Sequence, residues 1–297
     1  MAARAPSGPA LVPTLAARLR ASRLAVWFRR DKLAAFCLAF VLLVILVSVL
    51  APWISPYHPA ENDLDMRYAT VGTPGHWLGT DGLGRDVLSR LLWGGRISLL
   101  IGILPVVIAT LASFALGMVA GYFGGRVDDV IMRGLDVLFA FPMVLLALLL
   151  VGILGAGVLS VVIALAVVIV PYISRVVRTA VLSEIAMDYV LAARAAGAST
   201  FELLARELLP NVVPPVLAYT TVLVGIVIVV GAGLSYLGLG VQPPAADWGL
   251  MVAEGQQVLR EAPHVTVVPG LMIVVLAVVF NLLGDGIRDL LDPRLRT

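Results

Sequence analysis

From Val137 to Ser174 the chain runs for 38 residues without one charged side chain. A soluble core rarely absorbs such a run, whereas a hydrocarbon layer does, and a helix crosses one in about 20 residues. The run is too long for a single helix. Gly152-Ile153-Leu154-Gly155-Ala156-Gly157 offers a place to turn, so the stretch predicts two spans in a tight hairpin. Leu33–Pro52 and Ile97–Gly125 hold two more spans, Leu208–Ala246 holds one near Val213–Leu234, and Ala262–Gly284 holds the last. The count is six membrane helices. Composition agrees, with 60% hydrophobic and 13% charged residues, a balance outside the soluble range.

These spans divide the chain into a tail (1–32), a first helix (33–52), an external loop (53–96), a five-helix core (97–285) and a second tail (286–297). The core includes a polar segment at 188–210. With the N-terminus inside, 16 of the 21 basic residues fall on the inner side and 5 on the outer, which predicts that both termini are cytoplasmic. A net charge of +2 gives no argument for a nucleic-acid partner, and one cysteine excludes a disulfide framework or a Cys-rich metal site. Phe36 occupies the place where a lipoprotein site needs a small residue before Cys37. Arg29-Arg30 hints at a twin-arginine signal, but the apolar run that follows has the length of a retained span. Cys37 is therefore expected to be an ordinary buried thiol. The spans contain no Asp, Glu, Lys, Arg or His, which argues against a proton-driven carrier. Neither an inverted repeat nor an ATPase signature is visible.

The segment Asp188–Leu209 is rich in helix formers and is interrupted once, at Gly197-Ala198-Ser199-Thr200. Gly197 suits the left-handed end of one helix. Ser199 or Thr200 can cap the next, with Glu202 near its N-terminus. Phe201, Leu204 and Leu208 are expected on one face. Pro210 is expected to stop this second helix, with Pro214-Pro215 discouraging regular helix at the start of the fifth span. Two short helices at an angle, under the membrane, form either a docking knob for a partner's groove or an interfacial link between two spans.

Tyr189-Val190-Leu191-Ala192-Ala193-Arg194-Ala195-Ala196-Gly197, with Leu209-Pro210-Asn211 beyond it, resembles the EAA coupling segment of prokaryotic ABC-transporter permeases. Leu191 stands where that family has Glu, so a cap or salt bridge from a carboxylate is not carried over. His76-Trp77-Leu78-Gly79-Thr80-Asp81-Gly82-Leu83-Gly84-Arg85-Asp86 and the stretch to Arg90 resemble the C-type subunit of dipeptide and oligopeptide importers. So do Gly121-Tyr122-Phe123-Gly124-Gly125, the block Gly233–Pro244 with Asp247-Trp248-Gly249, and Gly284-Asp285-Gly286-Ile287-Arg288-Asp289 followed by Leu291-Asp292-Pro293-Arg294-Leu295. Local alternatives exist for these blocks. Gly79–Gly84 lacks the Lys-Ser/Thr of a phosphate loop; a turn-rich cap fixing Trp77 and Trp93 near the outer interface, open to a substrate-protein docking role, is the better reading. Asp81 and Asp86 have no supporting ligand ladder for calcium. Gly117, Gly121 and Gly125 permit close helix contact, within the subunit or with a partner.

The resemblance implies an all-α membrane protein with six transmembrane helices and the type I ABC importer (MetI-like) permease fold, in a prokaryotic cell membrane. It implies no catalysis in this chain and no cofactor of its own, with ATP and Mg held by partner ATPases. The implied partners are a second homologous permease, two ABC ATPase subunits, an extracytoplasmic substrate-binding protein and membrane lipid. Leu191, Ala192, Ala193, Arg194, Gly197, Phe201, Leu209 and Pro210 are the implied ATPase-coupling residues. The implied cargo is di- or oligopeptides, with nickel, haem, glutathione or modified peptides as alternatives for the same architecture. An ATPase-independent carrier or channel and a non-transporting scaffold are the distant readings.

Overall fold

Helix α1 (Lys32–Ile54) begins where the Asp31 carboxylate accepts a hydrogen bond from the Ala34 N–H at 2.9 Å. The protein is seen here as a computed structural model that describes residues 31–291. The basic tail with Arg29-Arg30, and the Asp292-Pro293-Arg294-Leu295 block, fall outside the described residues. After α1 come α2 (Val87–Phe123), α3 (Gly125–Phe139), α4 (Met143–Leu154), α5 (Val158–Ile185), α6 (Asp188–Ala195) and α7 (Thr200–Tyr236). Helices α8 (Trp248–Gly255) and α9 (His264–Leu291) complete the order. Helices α1, α2, α5, α7 and α9 are long and apolar enough to cross a membrane. The pair α3 and α4, bent by 86°, makes a sixth span if taken as one.

The hairpin expected in the charge-free run is present, its turn lying between Leu154 and Val158. The Gly157 N–H donates to the Leu239 carbonyl at 3.0 Å, which pins the turn beside the end of α7. Its first arm departs from expectation. Helix α4 has only 12 residues, because the chain breaks at Ala140-Phe141-Pro142. Proline disfavours helical backbone at the residue before it, and Phe141 leaves the helix there. Span ends also differ from the charge boundaries. Helix α2 starts ten residues before Ile97, where Asp86 caps the Ser89 N–H at 2.7 Å. Helix α5 runs past Arg175 and Arg178 to Ile185. Charge marks where lipid ends, and a helix with internal hydrogen bonds continues beyond it.

The proline expectation is also corrected. Pro210 does not stop the second helix of the polar segment; Thr200–Tyr236 is one continuous helix of 37 residues. A π-helical turn, Leu203–Leu208, precedes the proline, and the Leu209 N–H reaches back five residues to the Leu204 carbonyl. That widened turn relieves the clash between a proline ring and the preceding turn, and Pro210 has no N–H to leave orphaned.

Helix α2 is the centre of the bundle, packed on α1, α5 and α7, while α9 closes against α1 and α7. Its tightest seam is with α5. A Cβ at Gly117 would lie 2.6 Å from the Val177 Cβ and 2.8 Å from the Ser174 carbonyl oxygen, and one at Gly121 would lie 2.8 Å from the Val181 Cβ. The small-residue series therefore works inside the subunit. Gly125 is not part of it; nothing lies within 4 Å of its Cβ position, and it opens α3. Cys37 is buried, as expected.

Gly117→Val is expected to overpack the seam at a cost of about 1–3 kcal/mol, measured as a lower melting temperature in detergent. Gly134→Ala, on the exposed side of α3 with nothing within 4 Å, is expected to gain about 0.5–1 kcal/mol of helix stability. Equal melting of Gly117→Val and wild type contradicts the seam.

Candidate coupling site

The polar segment is a corner made by two helix caps back to back. Helix α6 ends in a Schellman turn, in which the Ala198 N–H donates to the Ala193 carbonyl and the Gly197 N–H to the Arg194 carbonyl, both at 3.1 Å. This geometry puts Gly197 at φ +87°, where a residue with a Cβ is strained by about 1–2 kcal/mol. Two residues on, Ser199 opens α7 with a capping box. Its hydroxyl accepts from the Glu202 N–H at 3.3 Å, and its own N–H donates to the Glu202 carboxylate at 3.0 Å. Orphan carbonyls of one helix and orphan amides of the next thus find partners within a four-residue link, residues 196–199.

Buried residues hold the corner to the bundle. Val190 of α6, with Leu203 and Leu208 of the π-turn, is almost fully buried. Of the expected apolar face, Leu208 is buried and Leu204 partly buried, but Phe201 is 77% exposed, and Leu203, which shares the π-turn with Leu208, is buried instead. The other candidates lie outward. Leu191 is half-exposed, Ala192, Arg194, Gly197, Leu209 and Pro210 are exposed, and Ala193 is partly buried. The structure thus gathers Leu191, Ala192, Arg194, Gly197 and Phe201 around one projecting corner. Leu209 and Pro210 belong to the continuing helix, two turns further along.

A hydrogen-bond bridge that sequence reading missed braces α6 against its neighbours. The Tyr189 hydroxyl donates to the Glu184 carboxylate at 2.5 Å and accepts from the Asn211 amide at 3.0 Å, while Asn211 also donates to the Glu207 carbonyl at 2.8 Å. Desolvation and the Glu184 carboxylate push the Tyr189 phenol up to about 12, so it stays a donor near neutral pH. Three residues from three elements carry this bridge with no shared period, which hides it from pattern analysis. Alongside, Arg178 forks onto Asp128, and Arg175 meets Asp136 at 2.6 Å, tying α5 to α3. A cleft of about 420 Å³ between α5 and α7 is lined by Arg175, Thr179, Ser183, Glu184, Asn211 and Pro215 among others.

At the opposite end the Gly79–Arg90 block forms a turn-rich cap, as expected, around a buried charge cluster that was not. The Asp81 carboxylate accepts from Arg85 at 2.7 Å and also from Arg90, and both guanidiniums reach Glu254 of α8, at 2.9 and 2.6 Å. Asp86 caps α2 and holds His76 at 3.0 Å. Both aspartates are occupied by side-chain partners. Among the described residues no group of three or more His, Cys, Asp or Glu is arranged to hold a metal. Trp77 projects outward, 75% exposed, so the cap does not clamp it.

A bundle of long apolar helices with one exposed helical corner has the architecture of an α-helical membrane protein. The chain belongs to the family of binding-protein-dependent transport system inner membrane components, which it matches over residues 113–297. Residues 16–70 match the N-terminal TM domain of oligopeptide transport permease C. The glutathione transport system permease protein GsiD of Pectobacterium atrosepticum is 42% identical over 271 residues, covering 91% of this chain and 90% of that one. The di/tripeptide transport system permease protein DppC of Pseudomonas aeruginosa is 42% identical over 278 residues, with the same coverage. Among solved structures, an inward-facing MetNI methionine ABC transporter chain aligns at a TM-score of 0.55 and 19% identity, over 68% of this chain and 96% of that one. The fold is therefore that of the ABC importer permeases.

Asp81→Asn is expected to leave two buried guanidiniums short of charge, at a cost of about 3–5 kcal/mol, read as a lower melting temperature. Arg206→Ala, which removes only the exposed 3.7 Å pair with Glu202, is expected to leave melting unchanged. Equal melting of both variants speaks against a structural role for the cluster.

Proposed function

We propose that this chain forms half of the translocation pore of an ATP-driven importer for di- or oligopeptides and receives conformational work through the α6–α7 corner. The observation that carries the reading is the corner itself. A rigid, outward knob with exposed Leu191 and Phe201 is continuous with α7, a 37-residue helix running through the bundle. A push on the knob therefore moves a whole span rather than a loose loop, as a two-state rearrangement requires. Two ABC ATPases bind ATP and Mg and engage Leu191, Ala192, Ala193, Arg194, Gly197, Phe201, Leu209 and Pro210 from the cytoplasm. In this arrangement both termini are cytoplasmic, the 53–96 segment faces outward toward a substrate-binding protein, a second homologous permease completes the pore, and no reaction is catalysed by the chain.

Peptide cargo is supported by the likeness to DppC and to the oligopeptide permease domain. Glutathione, itself a tripeptide, is the second reading, favoured by the likeness to GsiD. Uptake of a labelled dipeptide and of labelled glutathione by cells with and without this chain separates the two.

Gly197→Asp is expected to reduce uptake to background while membrane insertion and yield stay normal, since no neighbour lies within 4 Å of its Cβ position. Gly197→Ala keeps the surface neutral and strains only the backbone, so it is expected to retain partial uptake. Full uptake by well-inserted Gly197→Asp rules out coupling at the corner.

A further inference from the structure

We propose that α3 is a surface helix seated on the membrane, with Arg126 and Arg133 holding the phosphates of anionic phospholipids. Helix α4 pairs with the spanning helix α5 through a short hairpin, and α3 is bent from α4 by 86°. Helix α3 therefore runs across the direction in which α5 crosses. Its depth is set by two ion pairs with α5, Asp128 with Arg178 and Asp136 with Arg175, the latter at 2.6 Å. From Val158 to Arg175, α5 rises about 26 Å at 1.5 Å per residue, close to the ~30 Å of a hydrocarbon layer. Both pairs thus sit at the edge of that layer, where the charge-free run of α5 ends.

The side chains of α3 are ordered around its circumference by polarity. One side is taken up by the bundle: Leu135 is buried, Asp128 is paired, and the Phe139 ring lies 4.9 Å from that of Tyr172. At about 100° per residue, Val127, Val130, Gly134 and Val137 share a second arc, with Val130 72% and Val137 63% exposed. Arg126 and Arg133 come next around the helix, and Asp129 and Asp136 follow them; all four are exposed. Among the described residues neither arginine has an ion-pair partner. Apolar, then cationic, then acidic is the order met on leaving acyl chains, passing the phosphates and entering water. The arrangement is that of an interfacial helix. Its arginine stems lie beside the valines, and the guanidiniums stand at phosphate level with no carboxylate of their own to neutralise them.

The test uses the full chain in nanodiscs, with and without the partners that copurify, in a Cys37→Ala background. Bimane is attached at Val130→Cys, at Val137→Cys or, as reference, at the corner position Phe201→Cys. Phosphatidylcholine spin-labelled near the carbonyl end of its acyl chain is expected to quench the probes at 130 and 137 several-fold more than the probe at 201. Spin-labelled phosphatidylglycerol in its place is expected to deepen quenching at 130 and 137, through a local enrichment of up to about fivefold for each arginine. Arg126→Gln combined with Arg133→Gln is expected to abolish that preference and leave melting unchanged, since both side chains are exposed. Quenching at 130 no greater than at 201 overturns the surface seat. So does lipid quenching that vanishes when the partners are bound, which makes the face a protein interface. Equal quenching by the two lipids, with no effect of the double variant, overturns phosphate recognition.

Discussion

The structure depends on the close approach of α2 and α5. Gly117 and Gly121 let the backbones meet with Val177 and Val181 seated where side chains would otherwise stand. In a bilayer there is little hydrophobic drive between helices, so packing of this kind carries the association. The corner end of the bundle is braced from these two helices. The end of α2 reaches the corner through a 3.5 Å contact between the Tyr122 and Thr200 hydroxyls, and α5 carries Arg175 and Arg178 to α3 and Glu184 to α6.

The corner gains its stiffness from local chemistry. A Schellman turn and a capping box share a four-residue link, so each helix end is capped within it, and the Tyr189–Asn211 bridge braces the corner from the other side. At the opposite end, two buried arginines paired with Asp81 and Glu254 hold the loop and the start of α2 to α8. Both ends are therefore rigid while the middle is apolar and held by packing. That division suits a helix bundle that switches between two arrangements rather than bending gradually.

The number and place of the long spans were legible because a charge-free run of twenty or more residues has few other uses. The caps at Gly197 and Ser199 were legible too, since glycine and serine act there through their own backbone and hydroxyl. Helix ends were not, because hydropathy reports where lipid stops and says nothing of where hydrogen bonding stops; α2 and α5 both outrun it. Pro210 misled because a single proline is read as a break, and the π-turn that absorbs it has no sequence signature. The burial of Leu203 instead of Phe201, at the start of that turn, was hidden for the same reason. The Asp81–Arg85–Arg90–Glu254 cluster joins residues some 160 positions apart, and only the fold brings Glu254 to the rest. Family likeness supplied the coupling role of the corner; the residues alone left docking and simple connection both open.

The central claim is that this chain is one part of a larger ATP-driven assembly. The most direct measurement is its affinity purification from native membrane in mild detergent, with mass spectrometry of whatever accompanies it. The account predicts a second six-span permease and one or two P-loop ATPases in reproducible ratio. A folded chain that is recovered alone, repeatedly and in good yield, contradicts it.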